Sequence, residues 1–379
     1  MPEEAELAAG EAVRVGIVSK VASKIVYSIG SKKHTLETPL ASHNEAFLKI
    51  ISLLDGRESG EPPVRYDCLA HRYVHPGNSF SRASVINGSV VERLKKNIDL
   101  APIHNKVSMG LIEFCSKQFP ELTQYAVFDT AFHKTIPDEF AAYALPEKLV
   151  KKYGFRKTGF HGISHRYITE ESAKYLSRNT AELKLISCHL GSGGSSICAV
   201  DGGVSVNNSM GYTPLEGLMM NTRSGDMDIG MLLSIIEKNN LTPVQTENLL
   251  NYKSGVLGVF AESSDIRDAA KNLGNRQAKA AFDLYVNRAR KYIAYYCLQL
   301  HKPDVLVFTD TLGVEMPLIR EKICEQMECF GITLDTGKNA AYAGGEANLS
   351  AASSQAKVLV IPTNEEVMIA RETYREISQ

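Results

Sequence analysis

Four short, almost wholly apolar runs end abruptly in polar or glycine-rich residues, and they constrain this chain more than any other feature. They are AVFDT (126–130), LKLISCHLGSGGSS (183–196), DVLVFTDTLG (304–313) and KVLVIPTNEE (357–366). A strand that is apolar on both faces must be covered on both faces, and an α/β fold does this with helices. Helical periodicity lies between the runs, over 230–239 and the long segment 276–301. Ligands in open α/β sheets gather beyond the strand ends, so the polar residues that close each run are the first candidates for chemistry.

The chain has 379 residues, more than one comfortable core, so two domains are expected. No linker rich in Pro, Gly or Ser marks the boundary, and no repeat of 20–50 residues is present. Lys and Arg number 42 against 43 Asp and Glu, which leaves no basic surplus for nucleic acid or an anionic membrane. No apolar run reaches the roughly 18–20 residues that span a bilayer. The first dozen residues, MPEEAELAAGEA, lack the basic start and apolar stretch of a secretory signal. They read as a short disordered tail on a cytoplasmic protein. The seven cysteines are scattered without a C-x-x-C pair, which points to buried reduced thiols rather than zinc or disulfides.

Two turns invite an anion. The stretch HLGSGGSSICAVDGG (189–203) has strand-like flanks, so it reads as a β-turn-β hairpin whose glycines expose backbone N–H groups. It is not a Walker loop, because no Gly-Lys-Ser/Thr follows. A plain glycine hairpin suits the same residues equally. The stretch VGIVSKVASK (15–24) also reads as strand, turn, strand, with lysines and small hydroxyl residues at the turn. Arginine and histidine gather in HRYVHPGN (71–78), GFHGISH (159–165) and MMNTRSGDMD (219–228), contexts in which Arg can grip a carboxylate or phosphoryl group.

Taken together, these segments resemble the acetate kinases, within the sugar-kinase, Hsc70 and actin superfamily. The matching segments are HRYVHPG, LAPIHN (100–105), VFDTAFH (127–133), YGFRKTGFHGISHRY (153–167) and HLGSGGSS. They continue with SMGYTPLEGLMMNTRSGDMD (209–228), YKSGVLGVFAESSDIRD (252–268) and IPTNEEVMIARETY (361–374), in family order through nearly the whole chain. Propionate kinases share these motifs. The resemblance implies an α/β fold of two ribonuclease H-like lobes, each on a βββαβαβα plan, with an active site in the interlobe cleft. It implies an N-terminal lobe of residues 1–132 with 366–379, a C-terminal lobe of 133–365, and a homodimer. The implied reaction is reversible phosphoryl transfer between ATP and acetate, giving acetyl phosphate and ADP with Mg2+. Acetate is ionised near neutral pH, so no strong general base is required; the protein must bring two anions together.

Residue by residue, the resemblance assigns catalysis to Asp129, His161, Arg223 and Arg72. Arg72 and Arg223 are the paired arginines that offset repulsion between carboxylate and phosphoryl group, and His161 stabilises the group in flight. Val74, Ile103, Phe160 and Pro214 hold the acetate methyl with the two arginines. His189, Gly191, Ser192, Gly193, Asp265, Arg267, Thr311, Leu312, Gly313 and Lys24 fall on the nucleotide and phosphate side. Glu365 positions Mg2+. Thr363 and Glu366 have capping-box spacing, so Glu366 reads as a helix cap.

Departures from the family pattern concentrate on the donor side. The N-terminal phosphate turn, usually N-x-G-S-S-S-x-K, stands here as IVSKVASK, with only Lys24 in register. Ser192 replaces an Asn. The usual G-G-I-G-E-N nucleotide turn stands as DTLGVE (310–315), where Asp310 brings a negative charge towards a nucleotide anion. Pro76 replaces a Gly beside Arg72. The acetate and transfer residues are kept while the donor turns have drifted. Two further readings follow: an acyl kinase using another donor such as pyrophosphate, and a non-catalytic paralogue that binds an acyl phosphate.

Overall fold

A computed structural model describes residues 4–17 and 22–379. The chain divides into two compact units, Met1–Phe128 with Ile369–Gln379, and Asp129–Met368.

The first unit holds two three-stranded sheets. One is antiparallel, β1 (Ala8–Val13), β2 (Lys24–Ile29) and β3 (Lys32–Glu37), with Ala8 opposite Ile29 and Lys24 opposite Glu37. It packs Ile25 with Leu40, Ala46 and Leu53, the last two from α1 (His43–Leu54). The other joins β4 (Cys68–Tyr73), β5 (Ser84–Val85) and β6 (Thr123–Phe128), with β4 parallel to β6. Helices α2 (Gly88–Lys96) and α3 (Pro102–Gln118) connect them.

Two expectations fail at the N-terminus. Part of the acidic, alanine-rich start is a strand rather than a disordered tail, because all six residues of β1 pair with β2. Among the described residues, Val15, Gly16 and Ile17 do not form the strand expected there. Arg14 at φ 61 and Gly16 at φ 69 turn the chain, and the Gly16 amide bonds the Leu40 carbonyl. Val18, Ser19, Lys20 and Val21 of the expected phosphate turn lie outside the described residues.

The second unit is built on one six-stranded sheet. Its strands are β7 (Lys184–Leu190), β8 (Ser195–Asp201), β9 (Val204–Asn208), β10 (Val305–Thr309), β11 (Ala347–Asn348) and β12 (Lys357–Val360). The spatial order is β11-β12-β10-β7-β8-β9, with β12, β10 and β7 parallel and the β7-β8-β9 meander antiparallel. A meander followed by parallel crossover strands is the ribonuclease H-like plan. Strands β7, β8, β10 and β12 are buried on both faces because helices cover both. On one side Ile168 and Ala173 of α4 (Gly162–Tyr175) pack on Leu185, Val305, Val307 and Leu359. On the other lies α5 (Arg276–Gln299), whose Phe282, Tyr285, Ala289, Ile293 and Tyr296 pack on Ile186, Cys188, Leu306 and Phe308.

The DTLGVE segment, read as a turn, is a helix, Asp310–Glu315, that follows β10 directly. Five cysteines are buried as expected; Cys68 is half-buried and Cys329 exposed, and all seven are free thiols. The last helix, Glu365–Ile377, is capped by Asn364, whose carboxamide oxygen accepts the Val367 amide. The Thr363–Glu366 capping box does not form: Glu366 is exposed, and the Thr363 hydroxyl bonds Ser164 instead.

Candidate active site

In the second unit, the ends of three strands and the start of one helix bring most of the candidates together. Asp129 follows β6 and is buried, and its carbonyl accepts the Gly162 amide at 2.8 Å. That bond seats the first turn of α4 against the Asp129 backbone, so His161 is fixed beside Asp129. His161 is the N-cap residue of α4 and lies at φ 56, a left-handed conformation costly for a side-chain-bearing residue. The preceding turn is clamped by His133, whose Nε2 donates to the Phe160 carbonyl at 2.9 Å and whose Nδ1 meets the Ser205 hydroxyl at 2.7 Å. Burial pushes the His133 pKa down to about 4, so the clamp is a neutral imidazole near pH 7. Gly159 is required here, because a Cβ would stand 2.8 Å from the His133 ring.

The imidazole of His161 is oriented by hydrogen bonds that are themselves buried. Its Nδ1 lies 2.9 Å from Ser196 Oγ, which also meets His165 Nε2 at 2.8 Å. His165 is held in turn by Ser187 at 2.9 Å, and burial lowers its pKa well below the ordinary value. The rings of His161 and His189 sit 4.2 Å apart, tilted by 30°. His189 Nδ1 bonds Ser164 Oγ, and Ser164 Oγ bonds Thr363 Oγ1, both at 2.9 Å. Thr363 lies two residues before Glu365, so this chain of bonds ties the half-buried Glu365 segment to the histidines. Ser164 and His165 fall three and four residues after His161. Helical spacing puts all three on one face, a signal the sequence carried and the motif reading passed over.

Arg223 approaches the same point. A Cβ built on Gly194 would lie 3.5 Å from Arg223 Nη1 and 3.5 Å from His161 Nε2, so the bare turn lets both side chains close in. The guanidinium is half-buried, and its side-chain partner is the Met220 sulfur at 3.8 Å. Among the described residues no carboxylate forms an ion pair with it. Burial lowers its pKa, yet an arginine stays charged. A partly desolvated cation without a counter-ion is costly unless an anion binds there.

The loop bearing Arg223 is closed at its ends by Asp226. Its carboxylate accepts the Gly217 amide at 2.8 Å, Lys291 Nζ at 2.8 Å and the Tyr292 hydroxyl at 2.9 Å. Burial alone would raise the Asp226 pKa; the Lys291 ammonium, the Gly217 amide and the Tyr292 hydroxyl outweigh it and hold the group below 3.8. A depressed folded pKa gives stability that is present above the unfolded value and lost as pH falls through the folded one. Asp226→Asn is therefore expected to lose about 1–3 kcal/mol of stability at pH 7. Denaturant titrations at several pH values should show that difference shrinking as pH falls below 3.8.

The glycine turn is a true β hairpin: Gly191 N bonds Gly194 O at 3.1 Å, and His189 and Leu190 pair with Ser196 and Ser195. The 310–315 helix lies against it. Asp310 Oδ2 is 3.0 Å from His189 Nε2, and Thr311 Oγ1 accepts the Ser192 amide at 2.9 Å. Burial would raise the Asp310 pKa, but His189 and the Thr311 amide outweigh it and hold the carboxyl below its ordinary value. Leu312 and Gly313 are buried within this helix, whereas Gly193 is exposed at the turn's tip. Asp265 and Arg267 pair with each other, Oδ2 to Nη2 at 2.7 Å, and Arg267 also reaches Glu315 at 3.2 Å. Arg267 is thus already neutralised within the protein, unlike Arg223.

Phe160 is buried behind the His161 turn, and Pro214 is half-buried in the loop after β9. The remaining candidates belong to the first unit. Lys24 opens β2, half-buried. Arg72 is exposed near the end of β4, and Val74 is buried just beyond it. The Asn105 carboxamide accepts the His75 amide at 3.1 Å and donates to the His75 carbonyl at 2.9 Å. It staples this segment to the first turn of α3, which carries Ile103. The Ile103 side chain lies outside the described residues.

Among the described residues no cluster of three or more His, Cys, Asp or Glu could hold a metal by protein ligands alone. A Mg2+ shared with polyphosphate needs only one or two carboxylates, with phosphate and water oxygens completing the shell, and a single Glu365 fits that demand.

The known proteins that match this chain agree with the motif pattern. The sequence model of the Acetokinase family matches residues 4–371. The acetate kinase of Dictyoglomus turgidum is 44% identical, over all of this chain and 94% of that protein. The acetate kinase structure of Porphyromonas gingivalis superposes with a TM-score of 0.87 at 37% identity, covering 97% of this chain and 93% of the other. A propionate kinase from Francisella tularensis gives 0.86 at 36% identity, covering 97% and 92%. A family match through both units, and solved relatives of the same two-lobed α/β fold, accompany a histidine pair, an arginine without an ion pair among the described residues and a bare glycine turn at one place. The chain belongs to the acetokinase family.

Proposed function

We infer that this chain is an acetate kinase: a phosphotransferase with a carboxylate acceptor that moves a phosphoryl group reversibly between ATP and acetate. The observation that carries the reading is Arg223, a half-buried cation that pairs with no carboxylate among the described residues, beside His161 at the bare hairpin turn. Such a pair suits negative charge developing on a phosphoryl group in transit. His161, fixed at Nδ1 by Ser196, presents its other edge to that charge. Arg72 and Arg223 divide the neutralisation of acetate and phosphoryl group, and Asp129 completes the catalytic set. By the motif match, Val74, Ile103, Phe160 and Pro214 are the candidates for an apolar wall around the acyl methyl. One added methylene changes binding in such a wall by only about 1–3 kcal/mol, so propionate is an expected slower substrate.

The glycine turn with His189, Gly191, Ser192 and Gly193, the pair Asp265 and Arg267, the segment Thr311, Leu312 and Gly313, and Lys24 serve the nucleotide. Glu365 would hold Mg2+ together with the donor phosphates, and the bound ion supplies charge neutralisation there. Purified protein with Mg2+, ATP and acetate should form acetyl phosphate, trapped as its hydroxamate. No product with ATP, GTP or pyrophosphate would overturn the reading.

A homodimer is the expected assembly. The helix Ile229–Asn239 has no buried residue, and Ile229, Met231 and Leu233 are all exposed, with Val244 exposed shortly after. An apolar helix left open to water in this way suits a second copy of the chain. Light scattering should give the dimer mass for the native protein and the monomer mass for Leu233→Glu. Among the described residues no helix is long and apolar enough to cross a membrane.

A further inference from the structure

We propose that the Asp310 carboxylate is an internal competitor of the donor's phosphates at the glycine turn, and so sets how tightly this chain holds its phosphoryl donor. The proposal rests on the reading that this turn receives donor phosphates.

The carboxylate lies where an anion would use the turn. A Cβ on Gly191 would stand 2.3 Å from Asp310 Oδ2, so the oxygen presses on backbone that only glycine leaves bare. Close approach of this kind is what a glycine turn offers a phosphate oxygen. The same oxygen lies 3.0 Å from His189 Nε2, an edge a donor phosphate would also seek. The other carboxylate oxygen accepts the Thr311 amide at 2.7 Å, which fixes the group in this position. The neighbouring hydroxyl of Thr311 takes the Ser192 amide at 2.9 Å, so a second donor of the turn is engaged by the same helix.

The backbone is strained to allow this. Asp310 sits at φ 60, between the extended Thr309 and a right-handed helix. A non-glycine residue there costs free energy and persists only where its contacts over-determine it. Here those contacts are His189, the Thr311 amide and the bare Gly191.

An incoming phosphate must displace the carboxylate from His189 or bind beside it against like charge. Removing the charge while keeping the shape should therefore tighten phosphate-bearing ligands and leave a phosphate-free one unchanged. The test is calorimetric binding of ADP and of adenosine to the full-length protein in EDTA, so that no divalent cation bridges the two anions. Asp310→Asn is expected to bind ADP roughly tenfold more tightly than the native protein, with adenosine affinity unchanged. Asp310→Gly, which also suits the positive φ, should show the same gain and covers the case in which the Asn variant folds poorly. Unchanged or weaker ADP binding in both variants overturns the proposal. An equal gain for adenosine also overturns it, because the effect would then be steric. If no form of the protein binds ADP, the donor role of the turn falls with it. Native binding that neither variant alters sinks the competitor alone.

Discussion

Arg223→Ala is expected to lower the rate of acetyl phosphate formation by about 10³-fold while leaving the protein folded. The guanidinium is half-buried, contacts a methionine sulfur and makes no ion pair with a carboxylate among the described residues. Folding therefore gains little from its charge, and its removal relieves a desolvation cost. The loop geometry is held elsewhere, by Asp226 and by backbone bonds such as Met220 N to Arg223 O at 3.1 Å. On the proposed role, catalysis loses a cation aimed at charge that grows in the transition state, so kcat should fall more than KM rises. Arg223→Lys should recover only part of the rate, since an ammonium lacks the planar fork. Hydroxamate trapping beside a thermal melt separates the two effects. A variant that melts like the native protein yet keeps a tenth of its rate would contradict the role.

His161→Gly is expected to lower the rate by about 10²–10³-fold with stability changed by less than about 1 kcal/mol. Two opposing terms set the small stability change. Glycine removes the cost of a side chain at φ 56, but the variant loses the bond between His161 Nδ1 and Ser196. Ser196 keeps its 2.8 Å bond to His165, so its hydroxyl is not stranded. A strained residue that costs stability and is tied into place by its partners is a candidate for the proposed chemistry rather than for folding. Chemical denaturation and steady-state rates on one preparation give both numbers. A large loss of stability with activity preserved would reverse the assignment.

Much of this was legible in the sequence because it rested on periodicity and local motif. The buried strands at 184–190, 305–309 and 357–360 and the long helix from Arg276 follow from apolar runs and helical spacing. The positions of Asp129 and His189 near element ends follow from where those runs stop. What was hidden depends on contacts between distant residues. The DTLGVE segment reads as a turn by its match to the family's nucleotide turn, yet it is helical, with Leu312 buried and the carbonyls of Gly313 and Val314 bonded by Arg320. Thr363 has the spacing of a cap, but Ser164, 199 positions away, claims its hydroxyl. The strand Ala8–Val13 carries no strong β pattern of its own; its pairing with Lys24–Ile29 supplies the structure. Asp310 was visible as a misplaced charge, but its seat on His189 and Gly191 was not.

Phosphoryl transfer between ATP and acetate is the activity that decides whether this chain is an acetate kinase. Phosphorus NMR of the purified protein with Mg2+, ATP and acetate should show the γ-phosphate signal of ATP giving way to acetyl phosphate and ADP. Adding excess acetyl phosphate and ADP should run the change backwards. A spectrum that stays unchanged in both directions, from protein that melts cooperatively and with ATP at millimolar concentration, would contradict it.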